Sequence, residues 1–265
     1  MKIFYSLILL FLMIFVKSQT GFDVLYEADY KLIYKDQKSN AVAQEDTFAL
    51  LINGKESYYK NMKKYIMDSL KLEKKINEKF GIAVGLKYST DFPEYIGTTS
   101  GKLYVTSPVA NKIFKYEESN NFEWKLINEF RIIGKYKCQK AVIKKYGRSW
   151  VAWFTEEIPF PFGPYKFNKL PGLIIEIFDE KKDYVFSMYN FRKRKYFARS
   201  ANMEPKANLV NKAKIFDYQR REIADPNTYN KLIDDPETLR MIMKKAQERA
   251  KNYNPIELSS HSLKS

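Results

Sequence analysis

Alternation between apolar and polar positions dominates the chain from residue 23 to residue 191. It predicts a first strand over residues 23–35 and a hairpin over residues 47–59, in which Asn53-Gly54 supplies the positive φ angles of a tight turn. From residue 111 to residue 191 the predicted strands follow one another without a connection of helix length. Such strands pair antiparallel, because parallel neighbours need a longer crossover.

Residues 60–80 follow the period of an amphipathic helix rather than that of a strand. Met62, Ile66, Leu70 and Ile76 fall on one arc of a helical wheel, with Lys and Glu elsewhere. We therefore predict a helix that covers an apolar face of the sheet. The predicted fold class is α+β, mainly antiparallel β, with a curved sheet or half-barrel, this covering helix and C-terminal helices.

The first 18 residues have the features of a secretory signal peptide. Lys2 precedes an apolar run over residues 3–16, and the compact residues Val16 and Ser18 favour a cut before Gln19. An uncleaved N-terminal anchor is the alternative, but the run is shorter than the ~20 residues of a spanning helix. No later segment is long and apolar enough to span a bilayer, so we expect an exported protein of the periplasm, the outer cell envelope or the secreted fraction.

The rest of the chain divides into three parts. Residues 19–220 form the predicted β domain, residues 221–254 the C-terminal helices and residues 255–265 a polar, disordered tail. The helices are predicted from Asp225-Pro226 and Asp235-Pro236, because each pair places a capping carboxylate before a proline at the first helical position.

Composition and charge narrow the possible partners. The chain has 46 Lys and Arg against 31 Asp and Glu, a formal net charge of +15. In a cytosolic protein this excess would suggest nucleic acid. An exported chain instead meets lipid head groups, lipopolysaccharide phosphates and acidic glycans, so we predict no nucleic-acid partner. A basic surface that only maintains solubility is the alternative.

Several kinds of catalytic site are excluded by the residues present. His261 is the only histidine and lies in the predicted tail, so no imidazole is held beside a Ser or Cys nucleophile. The single cysteine, Cys138, sits in an alternating apolar run that favours a small buried hydrophobe. We predict no catalytic residue, metal or cofactor. Carboxylate chemistry stays open at Glu156, Glu157 and Glu176, although Glu156 and Glu157 point to opposite faces of a strand.

A Pro/Gly-rich connection leads into an apolar strand near the middle of the chain. Gly134-Lys135-Tyr136-Lys137-Cys138-Gln139-Lys140-Ala141, Ala152-Trp153-Phe154-Thr155 and Leu170-Pro171-Gly172-Leu173-Ile174 occur in this order. Together these motifs resemble the GLPGLI family of exported Bacteroidetes proteins, whose function is uncharacterised. Lys169 stands where the family pattern has its first Gly.

We interpret the motif as an ordered connection rather than an active site. Its prolines prevent ladder formation and stiffen the crossing. Phe167 and Leu170 are expected to close one end of the core. The motif residues are Gly163, Pro164, Leu170, Pro171, Gly172, Leu173 and Ile174.

Three functions are compatible with the sequence. The leading hypothesis is non-enzymatic binding of a lipid, lipoprotein or other apolar ligand, because several strands are apolar on both faces and the pattern resembles the half-barrels of periplasmic lipoprotein and lipid carriers. The alternatives are a structural or partner-binding protein of the cell envelope and a carboxylate-based hydrolase. The predicted ligand-binding residues are Trp153, Tyr184, Phe186 and Tyr189 in the lining, with Arg192 and Arg194 at the rim for an anionic head group.

Overall fold

The alternating segments form one 12-stranded sheet. The computed structural model describes residues 21–38, 42–73, 84, 87–109, 112–203, 206–224 and 235–261. The strands are β1 (Phe22–Tyr34), β2 (Gln44–Ile52), β3 (Ser57–Asn61), β4 (Tyr95–Thr98), β5 (Lys102–Val109), β6 (Lys112–Ser119), β7 (Lys125–Ile133), β8 (Tyr136–Lys145), β9 (Arg148–Thr155), β10 (Leu173–Asp179), β11 (Tyr184–Ala198) and β12 (Asn208–Leu209). The helices are α1 (Met62–Leu72), α2 (Lys212–Ala224), α3 (Pro236–Asn252) and α4 (Leu258–His261).

The strand order is β12-β6-β5-β4-β3-β2-β1-β11-β10-β9-β8-β7. Every neighbouring pair is antiparallel except β12 and β6, which run parallel. The pairing of β1 with β11, from Phe22↔Ala198 to Tyr34↔Tyr184, joins the N-terminal meander to the second meander. The prediction of a mainly antiparallel β fold with helices is confirmed.

The sheet is strongly curved, as its connections show. Strands β6 and β7 lie ten places apart in the strand order, which would separate them by about 48 Å in a flat sheet. Only residues 120–124 join them, and a chain of that length reaches about 20 Å when extended. The two ends of the sheet must therefore approach each other around a concave face.

The motif segment, residues 156–172, fills this concave face. Phe167 and Leu170 are buried, and the ring centre of Phe167 lies 4.6 Å from that of Trp150 on β9. Across the sheet, the buried Tyr30 hydroxyl on β1 donates to the carbonyl oxygen of Ile174 at 2.6 Å. The main hydrophobic core therefore consists of inward-facing strand residues packed around the chain's own motif segment.

The predicted covering helix over residues 60–80 is not confirmed. Residues 60 and 61 belong to β3, helix α1 begins at Met62, and residues 74–80 lie outside the described part. No side chain of α1 is fully buried; its Met62 and Tyr65 pack on a smaller cluster around Leu51 and Tyr58. The helix does not cover the main core because the motif segment already occupies the concave face.

The C-terminal region differs in part from the sequence prediction. Asp235 caps α3 as predicted: its side chain accepts a hydrogen bond from the Thr238 N–H at 2.8 Å, and Pro236 is the first residue of the helix. The other predicted helix start, Asp225-Pro226, lies outside the described residues. Helix α2, which buries Ile215 and Phe216, was not predicted and crosses the expected boundary after residue 220.

The predicted disordered tail also begins too early. Asn254 and the next three residues are buried, and Arg148 on β9 binds polar groups of the first three of them. Its guanidinium donates to Asn254 Oδ1 at 2.6 Å, to the Pro255 carbonyl at 2.7 Å and to the Ile256 carbonyl at 3.1 Å. Asp179 pairs with the same guanidinium at 2.9 Å and balances its charge.

The predicted signal peptide, residues 1–18, lies outside the described residues. Within the described part of the chain, no helix has both the length and the apolar character that crossing a membrane requires.

Candidate functional site

The motif segment depends on two glycines for close packing. A Cβ atom on Gly172 would lie 1.9 Å from the Thr155 carbonyl oxygen, and one on Gly163 would lie 2.6 Å from Ile174 Cδ1. Lys169 adopts a φ of 72°, in the left-handed region that glycine occupies without strain. The backbone at this position therefore has a conformation that favours glycine, and Lys169 adopts it at a cost in strain.

A buried ionic network fixes the motif segment to the C-terminal residues. The Lys166 ammonium contacts Glu257 Oε1 at 2.5 Å and Glu118 Oε1 at 2.6 Å, and it donates to the Tyr116 hydroxyl at 2.8 Å. Lys212 on α2 contacts Glu257 Oε2 at 2.6 Å and Glu118 Oε1 at 2.9 Å. We call these two lysines and two glutamates the Lys166 network.

Charges inside the Lys166 network are matched. Burial would raise the pKa of Glu257, but Lys166 and Lys212 outweigh it and lower the value to about 2. Burial would likewise lower the pKa of Lys166, but Glu257 and its other neighbours hold it well above its usual range. The network therefore stays ionised and has the properties of a structural anchor.

Beside the Lys166 network lies a cleft of about 310 Å³, which we call the Glu94 cleft. Helices α2 and α3, the C-terminal residues and the ends of β1 and β5 enclose it. Its walls are mainly aromatic and aliphatic. They include Tyr34, Phe92, Val109, Tyr116, Tyr165, Tyr184, Ile215, Phe216, Ile223, Tyr253 and Ile256.

Glu94 contributes a partly buried carboxyl group to this cleft. Its Oε1 accepts from Gln219 Nε2 at 3.0 Å and from the Ser107 hydroxyl at 3.3 Å. No Lys or Arg among the described residues forms an ion pair with it. Burial raises the pKa of Glu94, and its hydrogen bonds together with the charge of Lys166 offset this only in part. Glu94 also lines an inner cavity of about 10 Å³, next to the buried Tyr59.

The mouth of the cleft holds two further carboxylates and one guanidinium. Arg249 on α3 contacts Asp36 Oδ2 at 3.1 Å and Asp91 Oδ1 at 3.8 Å. The Tyr34 hydroxyl donates to Asp91 Oδ2 at 2.9 Å. These acidic residues and Arg249 also line an open surface depression, which places them between the cleft and solvent.

Two of the six predicted ligand-binding residues lie at this site. Tyr184 lines the cleft, where its hydroxyl donates to the Asn254 carbonyl at 2.6 Å, and Phe186 lines the inner cavity. Trp153 points to the other face of the sheet, where the Arg131 guanidinium lies 4.1 Å from its ring centre. Tyr189 is 58% exposed and outside the cleft.

The two arginines that were predicted to bind an anionic head group at the rim form ion pairs with carboxylates of β1 instead. Arg192 pairs with Glu27 and, at 3.0 Å, with Asp29, while Arg194 pairs with Glu27 at 3.2 Å. The cause is the bulge in β11 at Tyr189, since Asp29 pairs with Asn190 and Tyr30 with Met188. The bulge shifts the alternation, so the arginines do not face the core that Tyr184 and Phe186 enter.

The carboxylates considered from the sequence lie outside the cleft. Glu156 is exposed, Glu157 accepts the Lys137 N–H at 2.8 Å, and Glu176 pairs with Arg131. Among the described residues, no group of three His, Cys, Asp or Glu side chains is placed to hold a metal ion. Sequence reasoning missed Glu94 and Arg249, because neither belongs to a motif and only the fold brings them to one cleft.

Comparisons with known proteins support the fold and leave the function unassigned. The sequence model of one family, described as "Protein of unknown function (Porph_ging)", matches residues 147–176, which include the motif segment. This match does not confirm the GLPGLI name. No curated protein matches the chain.

Among solved structures, PNGF-II in the P21 space group is similar at a TM-score of 0.51 and 15% identity. The match covers 74% of this chain and 33% of that chain, so the chain spans about a third of that neighbour's length. An uncharacterized conserved protein from Thermus thermophilus has a TM-score of 0.36 at 8% identity, over 71% of this chain and 90% of that chain.

A LolA superfamily protein, NE2245 from Nitrosomonas europaea, has a TM-score of 0.28 at 7% identity, over 67% of this chain and 87% of that chain. The likeness to PNGF-II concerns the fold alone. The other two likenesses carry no argument about this chain.

Proposed function

We propose that this protein is a non-enzymatic binding protein, exported to the bacterial cell envelope, that takes a small, partly apolar ligand into the Glu94 cleft. The cleft is the observation that carries the proposal: it is preformed, about 310 Å³ in volume, mostly aromatic and aliphatic, and has a few convergent polar groups. Small-molecule sites in proteins share these properties. The export part of the proposal rests on the sequence of residues 1–18.

The volume left in the concave face limits the size of this ligand. The motif segment fills most of the space, leaving the cleft and an inner cavity of about 10 Å³, which is room for roughly one water. A cleft of about 310 Å³ is at the lower end of the roughly 300–1,000 Å³ of typical ligand pockets. The structure therefore favours a small molecule or one short chain over a whole lipoprotein.

A second candidate function, binding of a partner protein, is favoured by the edge strand β7. It ends the strand order and exposes three apolar side chains, Leu126 at 47%, Phe130 at 51% and Ile132 at 68%. Exposed apolar edge strands are templates for strand pairing. This surface and the Glu94 cleft are formed by different residues, so substitutions can separate the two functions.

Binding of the neutral fluorescent probe N-phenyl-1-naphthylamine tests the main proposal. Ile223→Trp places a large ring at the wall of the cleft and is expected to weaken probe binding about tenfold, or ~1.4 kcal/mol. Ile113→Trp is the matched control, since Ile113 is 49% exposed and outside the cleft. Absence of probe binding, together with no extractable ligand in the exported protein by mass spectrometry, would refute the proposal.

A further inference from the structure

The Glu94 cleft is acidic, although the chain as a whole is strongly basic. Among the described residues, its charged lining consists of four carboxylates, from Asp36, Asp91, Glu94 and Glu222, and one guanidinium, from Arg249. The whole chain has a formal net charge of +15. A concave, partly apolar wall concentrates the field of the charges that line it, so this cleft repels anions and attracts cations.

Within the described part of the chain, no Lys or Arg forms an ion pair with Glu94, whereas other carboxylates that are fully buried have such a partner; the charge of Lys166 acts on Glu94 only from beyond ion-pair distance. Glu257, Glu27 and Asp29 are all buried and all paired with Lys or Arg. Glu94 receives only neutral donors, Gln219 and Ser107, within the described part of the chain. A partly buried carboxyl group without a cationic partner, next to open volume, is a position where a cationic ligand gains an ion pair.

The wall around Glu94 suits an organic cation better than a hydrated metal ion. Rings of Phe92 and Tyr165 line both the cleft and the inner cavity at Glu94, and Tyr116, Phe216 and Tyr253 line the cleft. Aromatic faces attract ammonium groups, and aromatic cages are the usual receptors of quaternary ammonium ions. The buried Tyr59 lines the same inner cavity.

The chain itself already places a cation at the mouth. Arg249 reaches from α3 to Asp36 and Asp91, at 3.1 Å and 3.8 Å. Its side chain is 52% exposed, so a competing cation has access to the same carboxylates. Arg249 thus shows that this rim accommodates a delocalised organic cation, while Glu94 behind it has no ion pair with any described residue.

We propose that the Glu94 cleft selects organic cations, namely an ammonium or quaternary ammonium group attached to a short apolar body, with the charge placed beside Glu94. This inference rests on the proposed function, in that it names the ligand class of the same cleft. The organic cation takes the place of the anionic head group that the sequence predicted, because Arg192 and Arg194 are paired with Glu27 and Asp29.

Competition against N-phenyl-1-naphthylamine with three probes that each carry an eight-carbon chain tests the inference. Octyltrimethylammonium is expected to displace the probe at about tenfold lower concentration than 1-octanol, a difference of ~1.4 kcal/mol. Octanoate is expected to be the weakest of the three. Choline serves as a fourth arm: displacement by choline identifies a free head group as sufficient, and its failure shows that the apolar chain is also required.

Three variants locate the charge preference. Glu94→Gln keeps the size and the Gln219 contact and is expected to abolish the preference for the cation over octanol. Arg249→Gln removes the competing cation and is expected to strengthen octyltrimethylammonium binding about threefold, or ~0.7 kcal/mol. Glu117→Gln, which changes an exposed carboxylate paired with Lys102 outside the cleft, is the matched control and should leave the preference unchanged.

The outcomes separate the inference from the function on which it rests. If the wild-type protein binds neither the neutral probe nor any of the three compounds with an eight-carbon chain, the proposed function itself fails. If it binds them without preferring the cation, or if Glu94→Gln keeps the preference, the cation inference is overturned while the binding function stands. Should Glu94→Gln not fold, an unchanged or weaker cation affinity in Arg249→Gln overturns the inference by itself.

Discussion

The Lys166 network and the Glu94 cleft lie side by side, but their carboxylates differ in whether a lysine or arginine is paired with them. In the network, two lysines balance two glutamates, and the pKa of Glu257 falls to about 2. In the cleft, Glu94 has no ion-pair partner among the described residues, and burial raises its pKa. The same side-chain type serves as an anchor where its charge is matched and as a binding group where it is not.

Two tyrosines form the wall between these regions. The Tyr116 hydroxyl accepts from Lys166 at 2.8 Å, and the Tyr165 hydroxyl donates to Glu257 at 2.5 Å, while both rings line the cleft. The network thereby holds the aromatic wall in place. The Lys166 network, in which the charges are paired, therefore fixes the geometry of the neighbouring Glu94 cleft.

Breaking the Lys166 network should have the largest effect on stability. Glu257→Gln leaves the buried ammonium group of Lys166 and the partly buried one of Lys212 with one carboxylate fewer, and is expected to cost about 3–5 kcal/mol in the free energy of unfolding. Urea denaturation measures it. Glu117→Gln breaks the exposed Lys102–Glu117 pair and is expected to cost about 0–1 kcal/mol. Equal effects of the two substitutions would show that the buried network is not an anchor.

The same variant has a defined pH signature. The folded-state pKa of Glu257, about 2, lies below the roughly 4.3 of an unfolded glutamate. Its contribution is therefore complete above about pH 5 and is lost as the pH falls through 4 toward 2. Over this range the wild-type protein is expected to lose more stability than Glu257→Gln. Parallel losses in both proteins would contradict the assigned pKa.

Packing of the motif segment against β9 should give the next largest effect. Gly172→Ala places a methyl group against the Thr155 carbonyl oxygen and is expected to cost about 2–3 kcal/mol. Gly101→Ala is the matched control, because no atom lies within 4 Å of its added Cβ. Thermal unfolding of both variants checks this. A Gly172→Ala protein as stable as Gly101→Ala would show that the motif glycine is dispensable.

Cys138 should matter only through packing. The thiol is buried, and burial raises its pKa to about 11, so native protein is expected to react slowly with iodoacetamide and unfolded protein quickly. Cys138→Ala is expected to lose about 1 kcal/mol of stability and to keep probe binding in the cleft. Rapid labelling of the native protein would refute this prediction.

The smallest expected effect is a gain in stability at Lys169. Lys169→Gly relieves the left-handed backbone and is expected to add about 0.5–1 kcal/mol, after the greater entropy of glycine in the unfolded chain is included. Lys169→Ala keeps the strain and removes the bond from Nζ to the Ser100 carbonyl, so it separates the two contributions. Loss of stability in Lys169→Gly but not in Lys169→Ala would contradict the backbone explanation.

The sequence by itself determined the local elements of this protein. Alternation located most of the strands and their antiparallel pairing, Asp235-Pro236 located the start of α3, and the motif pattern placed Phe167 and Leu170 in the core. These features depend on residues a few positions apart, where period, capping and turn chemistry act directly. The same local pattern also identified Tyr184 and Phe186, which do face the concave side.

Only the tertiary structure decided what fills the concave face and where the charges are left unmatched. Helix period predicted an amphipathic helix as the cover, but the strand order brings the motif segment there, and α1 packs on the other face. Lys166 meets Glu257 across 91 positions, and Asp36 meets Arg249 across 213. No periodicity spans such separations, because these contacts follow from strand order, bulges and sheet curvature rather than from neighbouring residues.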